Sequence, residues 1–296
     1  MPRLIAIICV SLLLSPGLSS AFTLSDFEVP ESVVRDPQDG AYYVSNINGE
    51  PTAKDGNGYI SKISSSGNVL IQRYIGGEKG SDLLHAPKGL LVLRGELWVT
   101  DIDTIKVFNK TTKELLRTLD LTPFGAKFLN DLAFDPSRGT VYVSDMLGDR
   151  IYSIEIAREH RIEIFKEGEE LDNPNGIMIN PRSKNLLAVT WKGKIIEIDR
   201  QKRVRILKKG LTTLDGVDHD GKGSLYVSSF DKGEIYRIDY YGRGSATTVF
   251  SGLTTPADIS FDRQGREVLV PSFKSGTVTT LSVRRASEKN PSGSSI

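Results

Sequence analysis

The chain reads as an all-β protein, a six-bladed β-propeller closed by an N-terminal strand. Three observations predict it. A short phrase recurs, opening at Pro30, Pro87, Leu129, Pro174, Leu214 and Pro256, with steps of 57, 42, 45, 40 and 42 residues. That is the period of a propeller blade. Between copies run short β-branched and aromatic segments, each bounded by Gly, Asp or Lys. Nothing of helical period competes over a comparable length.

The chain begins with a segment set apart from the repeats. Arg3 precedes an apolar run from Leu4 to Leu14, and Ser19-Ser20-Ala21 offers small residues at the positions a signal peptidase reads. Residues 1–21 are therefore expected to be a signal peptide, and the protein secreted or periplasmic; the alternative is an apolar start or membrane anchor. The propeller is expected over 22–286, with a polar tail at 287–296. The only cysteine, Cys9, lies in the leader, so the mature chain lacks a thiol for disulfides, metal binding or nucleophilic attack. Formal charge is +1, which points away from nucleic acid and anionic membrane surfaces. A monomer acting on a small molecule is expected, with no membrane contact after cleavage.

Phe22 to Val29 precedes the first blade. The last unit, Ile259 to Val283, supplies only three strands, so this N-terminal segment is expected to add its missing outer strand and close the ring. In the fifth unit, Gly216 to His219, Leu225–Ser228, Glu234–Ile238 and Ala246 to Phe250 read as four strands separated by turns. Second strands recur at Tyr42–Ser45, Leu97–Thr100, Val141–Ser144, Leu186–Val189 and Val268–Pro271. Third strands include Gly58–Ile63, Arg150–Ile154 and Lys194–Ile198.

In such a ring the innermost strands line the central channel. Their starts share a face with the ends of the second strands, because neighbours are antiparallel. One rim then collects Glu31, Lys88, Asn130, Asn175, Asp215 and Asp258, with Asp131 beside Asn130. It also collects a second set: Asn46, Asp101, Asp145, Trp191, Phe230 and Phe273. The second set predicts polar groups on blades one to three and an aromatic wall on blades four to six, a pocket suited to a small molecule.

Glu31, Asn130, Asn175 and Asp215 offer two carboxylates and two amides to the axis. Such oxygens suit a hard divalent cation, Ca²⁺ first, Mg²⁺ or Mn²⁺ next. The same groups also read as the lining of a hydrated channel. Lys88 adds an ammonium, which either sits beside the cation with carboxylates between or pairs with Glu31 and fills the cation's place.

At these residues the chain resembles the senescence marker protein/gluconolactonase family, the regucalcin-like propellers, and more distantly the paraoxonases. The likeness rests on Pro30-Glu31, Asn130-Asp131, Pro174-Asn175-Gly176 and Leu214-Asp215-Gly216. It implies one divalent cation held by Glu31, Asn175 and Asp215, with Asn130 supporting the ligands from behind or contacting substrate, and hydrolysis of lactones or other esters. The chain departs from the sugar-lactone pattern: Phe128 stands where those enzymes tend to carry an arginine.

The expected activity is that of an exported, divalent-cation-dependent hydrolase. Asp215 is the first choice of general base and Asp131 the second, with Lys88 orienting substrate. Asn130, Asp101, Trp191, Phe230 and Phe273 are expected to contact it. The long connection from Ile47 to Gly58 reads as a lid or a tolerated insertion, and His85 as a hydrogen-bonded loop residue. Asn109-Lys110-Thr111 is a glycosylation sequon. The competing readings are a non-catalytic propeller that binds a protein or small ligand on its rim, and a metal-free propeller enzyme resembling strictosidine synthase.

Overall fold

A computed structural model describes residues 22–77 and 83–283. The expected signal peptide and polar tail lie outside the described residues. β1 is Thr23–Leu24. The first blade holds β2 (Pro30–Arg35), β3 (Tyr42–Asn46), β4 (Tyr59–Ile63) and β5 (Val69–Gly76). The second holds β6 (Pro87–Leu93), β7 (Glu96–Asp101), β8 (Thr104–Asn109) and β9 (Leu115–Asp120). The third holds β10 (Leu129–Asp135), β11 (Thr140–Asp145), β12 (Arg150–Glu155) and β13 (Arg161–Glu167). Next come β14 (Pro174–Ile179), β15 (Leu186–Thr190), β16 (Ile195–Ile198) and β17 (Val204–Lys208). The fifth blade is β18 (Leu214–His219), β19 (Ser224–Ser229), β20 (Glu234–Asp239) and β21 (Thr247–Phe250). The last is β22 (Ser260–Asp262), β23 (Glu267–Ser272) and β24 (Thr277–Ser282). Six four-stranded antiparallel sheets result, so the six-bladed ring is present as expected.

The ring closes where the sequence indicated. β1 pairs antiparallel with β24, Thr23 opposite Thr279 and Leu24 opposite Val278. The Phe27 amide adds a bond to the Gly276 carbonyl (3.1 Å).

Burial follows position in the blade. β3, β15 and β23 are buried along their whole length, whereas β9 on the outside is mostly open. Middle strands are covered on both faces by neighbouring blades, so they read as apolar runs rather than as alternating ones. The core is accordingly divided into one cluster per blade interface. Leu93, Trp98, Leu132 and Tyr152 join blades two and three. Phe27, Val33, Tyr42, Leu269 and Val278 join the last blade to the first.

Five of the six innermost strands carry a one-residue bulge at the same place. The first residue of each phrase pairs in one register and the fourth in the next, as in Pro30 with Asn46 and Val33 with Val44. The shift recurs in β6, β10, β14 and β18. A bulge leaves an amide outside the ladder and re-aims the side chains around it. A hydroxyl on the second strand takes up that amide. Ser45, Ser144 and Ser228 accept from the N–H of Ser32 (2.9 Å), Asp131 (2.9 Å) and Gly216 (2.7 Å).

The hydroxyls also reach forward to the next blade. Thr100 donates to the Asn130 carbonyl (2.5 Å), Ser144 to that of Asn175 (2.6 Å) and Ser228 to that of Ala257 (2.8 Å). The third residue of the phrase is glycine in the second, fourth and fifth blades, where the next innermost strand comes close. A Cβ on Gly176 would lie 2.4 Å from the Asp215 carbonyl oxygen, and one on Gly216 2.3 Å from the Ile259 nitrogen.

Candidate functional site

The second residue of the phrase faces one end of the hub. Glu31, Lys88, Asn130, Asn175 and Asp215 line a single cavity of about 240 Å³ there. All five are at least nine-tenths buried. The sixth counterpart, Ala257, is fully buried and carries no donor.

Four of these side chains have an unsatisfied atom. Glu31 Oε2, Asn130 Oδ1, Asn175 Oδ1 and Asp215 Oδ1 are buried and lack a hydrogen-bond partner. Buried polar groups rarely stay unpaired, since each costs about 1–3 kcal/mol. Four in one cavity, contributed by four blades, mark a place for a ligand that accepts oxygen lone pairs. The electrostatics agree. Burial raises Glu31 well above the carboxylate range, and the negative charges of Asp215 and Asp258 add to it. Burial, then Asp258, raises Asp215 likewise. A local positive charge would relieve both. No trio of His, Cys, Asp or Glu gathers in ligand geometry among the described residues. The donor set here is two carboxylates and two amides, oxygen only, which fits Ca²⁺ or Mg²⁺ rather than zinc.

Lys88 does not take the cation's place by pairing with Glu31. Its ammonium donates to the carbonyls of Pro51 (2.8 Å) and Ala86 (2.9 Å) and lies 4.3 Å from the centroid of the Phe128 ring. Burial pushes Lys88 down to about 8, opposed by Glu31 and Asp101. Two of its three N–H groups are spent on carbonyls, and the third remains for a guest.

The wall differs from the expected one. Trp191, Phe230 and Phe273 do face the cavity, in a chain of rings with centroids 5.4 Å and 5.5 Å apart. Asn46, Asp101 and Asp145 are not their counterparts. They pair with the first residue of each phrase, and so do Thr190 and Ser229 on blades four and five. The true counterparts lie one residue on, at Ile47, Ile102 and Met146, and a one-residue slip exchanges the two faces of a strand. Ile47 and Met146 join the wall; with Phe128 and Pro51 they complete the apolar part of the lining.

Asp101, expected at the substrate, instead accepts from the amides of His85 (2.9 Å) and Ala86 (2.7 Å). Asp145 likewise holds the amides of Lys127 (3.0 Å) and Phe128 (2.8 Å). Both tie the loop entering their blade to its second strand, and so support the residues that follow.

Asp131, the second choice of base, also lies elsewhere. It is the third residue of its phrase, and the bulge sends it to the opposite end of the hub. A separate cavity of about 420 Å³ there includes Asp131 and Asp258. Asp131 accepts from the amides of Leu132 (2.6 Å) and Ile177 (2.7 Å). Burial pushes Asp258 up to about 7 against the bond from the Ser32 hydroxyl (2.6 Å).

The long first-blade connection reaches the cavity through Ile47 and Pro51. Gly56 N–H donates to His85 Nδ1 (3.0 Å), so His85 anchors this loop, as expected of a loop histidine. The sequence reading missed Thr100 and Ser144, which fix the backbones of Asn130 and Asn175. The signal was present: a hydroxyl stands two residues before the wall residue on blades one, two, three and five.

No family model matches the chain, and no curated protein sequence matches it. Solved structures do. A virginiamycin B lyase from Staphylococcus aureus superposes with a TM-score of 0.63 at 14% identity, covering 90% of this chain and 99% of that one. A streptogramin B lyase gives 0.62 at 15% identity, covering 88% and 96%. A structure of the nidogen/laminin complex gives 0.59 at 18% identity, covering 79% and 84%. At such identities the likeness is one of fold, and the fold is a propeller.

Proposed function

We propose that this protein is an exported, divalent-cation-dependent hydrolase of lactones or related esters, of the regucalcin-like kind that the sequence resembles. The observation that carries the reading is the set of four buried, unpartnered oxygens of Glu31, Asn130, Asn175 and Asp215 in one cavity. These residues would hold Ca²⁺, or Mg²⁺ or Mn²⁺ in its place. A bound dication would supply Lewis acidity and fixed positive charge to a carbonyl oxygen as it turns anionic. The Asp215 carboxylate, with Oδ1 turned to the cation, would accept a proton from the attacking water on its other oxygen. Lys88 keeps one N–H for the substrate's acyl or carboxyl oxygen. The apolar wall excludes bulk water and holds the leaving or acyl portion.

Lyases and a laminin-binding protein share the fold, so chemistry has to be read directly. The test has two parts. Thermal unfolding is followed in chelator and after Ca²⁺ is restored; a native-state ligand raises the melting temperature. A panel of lactones and aryl esters is then assayed with wild type and Asp215→Ala, with product mass recorded. Hydrolysis gives products whose summed mass exceeds the substrate by one water, whereas elimination adds none. An unchanged melting curve with no turnover would leave a rim-binding propeller as the better reading.

A further inference from the structure

The cavity's lining says more about its guest than its floor does. Polar atoms meet a guest only at the floor and at Lys88. Above them stand Trp191, Phe230, Phe273, Phe128 and Met146, with no hydroxyl, guanidinium or free amide among them. A polyhydroxylated ring placed here could satisfy hydroxyls only at the floor and at Lys88, and those turned to the aromatic wall would lose water without a partner, a penalty that discriminates against such a guest. Aromatic or alkyl carbon loses nothing on entering and gains contact with the ring chain.

Charge narrows the class further. The carboxylates of Glu31 and Asp215 together balance one dication. The Lys88 ammonium then makes no ion pair with a carboxylate among the described residues, and Asp101 acts on it only through space. It is 1% exposed, held by two neutral carbonyls and a ring face. Asp101, the other carboxylate acting on it, is spent on the amides of His85 and Ala86. A buried cation with neutral partners and an unused N–H favours an anionic atom within reach.

We propose that the site selects small amphipathic acyl compounds, an aryl or alkyl body bearing a carboxylate or carboxylate-like head, and that Lys88 reads the head while Trp191, Phe230 and Phe273 read the body. The inference rests on the cavity being the hydrolase site proposed above, and concerns which substrate that site takes.

Trp191 makes the proposal testable without turnover. The other tryptophan, Trp98, is fully buried, packed against His160 and in the core between blades two and three. Intrinsic fluorescence of the Ca²⁺-loaded full-length protein is titrated with phenylacetate, phenylacetamide and gluconate. Phenylacetate is expected to give a saturable change at a concentration at least tenfold below phenylacetamide, and gluconate none. Lys88→Gln is expected to erase the preference for the acid over the amide. Phe230→Ala, at a half-buried position, is expected to weaken both phenyl compounds at least tenfold and keep the preference. If Lys88→Gln does not fold, Phe230→Ala and the wild-type ranking still decide.

Gluconate binding as tightly as phenylacetate, or equal affinity for acid and amide in the wild type, would overturn the proposal. The two readings fail separately. Phenylacetate binding that persists in a protein whose melting ignores Ca²⁺ removes the cation and keeps the selectivity. A Ca²⁺-raised melting temperature with no response to phenylacetate does the reverse.

Discussion

At one end of the hub Glu31 and Asp215 stand with Asn130 and Asn175 and leave four buried oxygens without a donor. At the other end the carboxylates of Asp131 and Asp258 are buried as well but engaged, and that of Asp218 is half-buried and engaged. Asp131 takes two backbone amides, Asp258 the Ser32 hydroxyl, and Asp218 the amides of His219 (2.7 Å) and Phe261 (2.7 Å) and the Arg263 guanidinium (2.9 Å). Burial raises the proton affinity of carboxylates at both ends. Acidity and burial therefore do not separate a ligand site from a structural knot. Unused lone pairs do. The bulge creates the distinction by sending the second residue of each phrase to one end and the third to the other.

The contrast breaks most sharply under substitution of a carboxylate at each end. Asp215→Ala is expected to lower hydrolysis about 10³-fold or more, the scale of losing charge stabilisation at a reacting oxygen, and to abolish the Ca²⁺-dependent rise in melting temperature. Asp131→Asn should instead lower stability and leave that rise in place. If the two variants exchange phenotypes, the assignment of ends is wrong.

Cation addition comes next in size. Ca²⁺ at 100 times its dissociation constant should stabilise the chelated protein by about 2.7 kcal/mol, read as an upward shift of the urea midpoint at unchanged slope. The Asp131→Asn variant should gain the same amount.

Ser144 serves both ends at once, and its loss sharpens the comparison. Ser144→Ala strands the Asp131 amide and frees the Asn175 carbonyl, at about 1–3 kcal/mol. Its Ca²⁺ affinity should fall as well, because Asn175 loses the bond that fixes its backbone. Ser228→Ala strands the Gly216 amide and frees the carbonyl of Ala257, whose side chain is no ligand. Equal Ca²⁺ affinities in the two variants would contradict this.

The smallest effect is a pH slope. Lys88 is held at about 8 against an ordinary value of 10.5, so between these values the unfolded chain binds the extra proton. Stability of the chelated wild type should gain from this group as pH rises through that window, by about 1.4 kcal/mol per unit at most. Lys88→Met should lack that gain. Parallel pH profiles of the two proteins would remove the claim of a buried ammonium.

The ring was legible because each blade repeats one strand pattern, and the starts of β2, β6, β10, β14 and β18 coincide with the phrase. β22 does not: it begins at Ser260, because Asp258 bridges to Ser32 of the first blade rather than entering the last blade's ladder. The four oxygens were legible because they occupy one position of that phrase. The wall was misread on three blades. Asn46, Asp101 and Asp145 look like rim residues by polarity, and polarity says nothing about which face a strand's last residue takes. Counting from the hydroxyls of Ser45 and Ser144 would have placed Ile47 and Met146 in the wall with Trp191. The separation of Asp131 from Asn130 lay beyond reach, since it depends on a bulge that no single residue type announces.

The seam between β1 and β24 is two residues long, while its counterparts in the other blades run to four or more. Every other blade is stitched from consecutive segments; this one joins strands some 255 residues apart. A circle held by so short a stitch should come undone there first. Amide exchange at Thr280, bonded to the Phe22 carbonyl at 2.9 Å, is then the place to watch the hoop open while the remaining blades stay stacked.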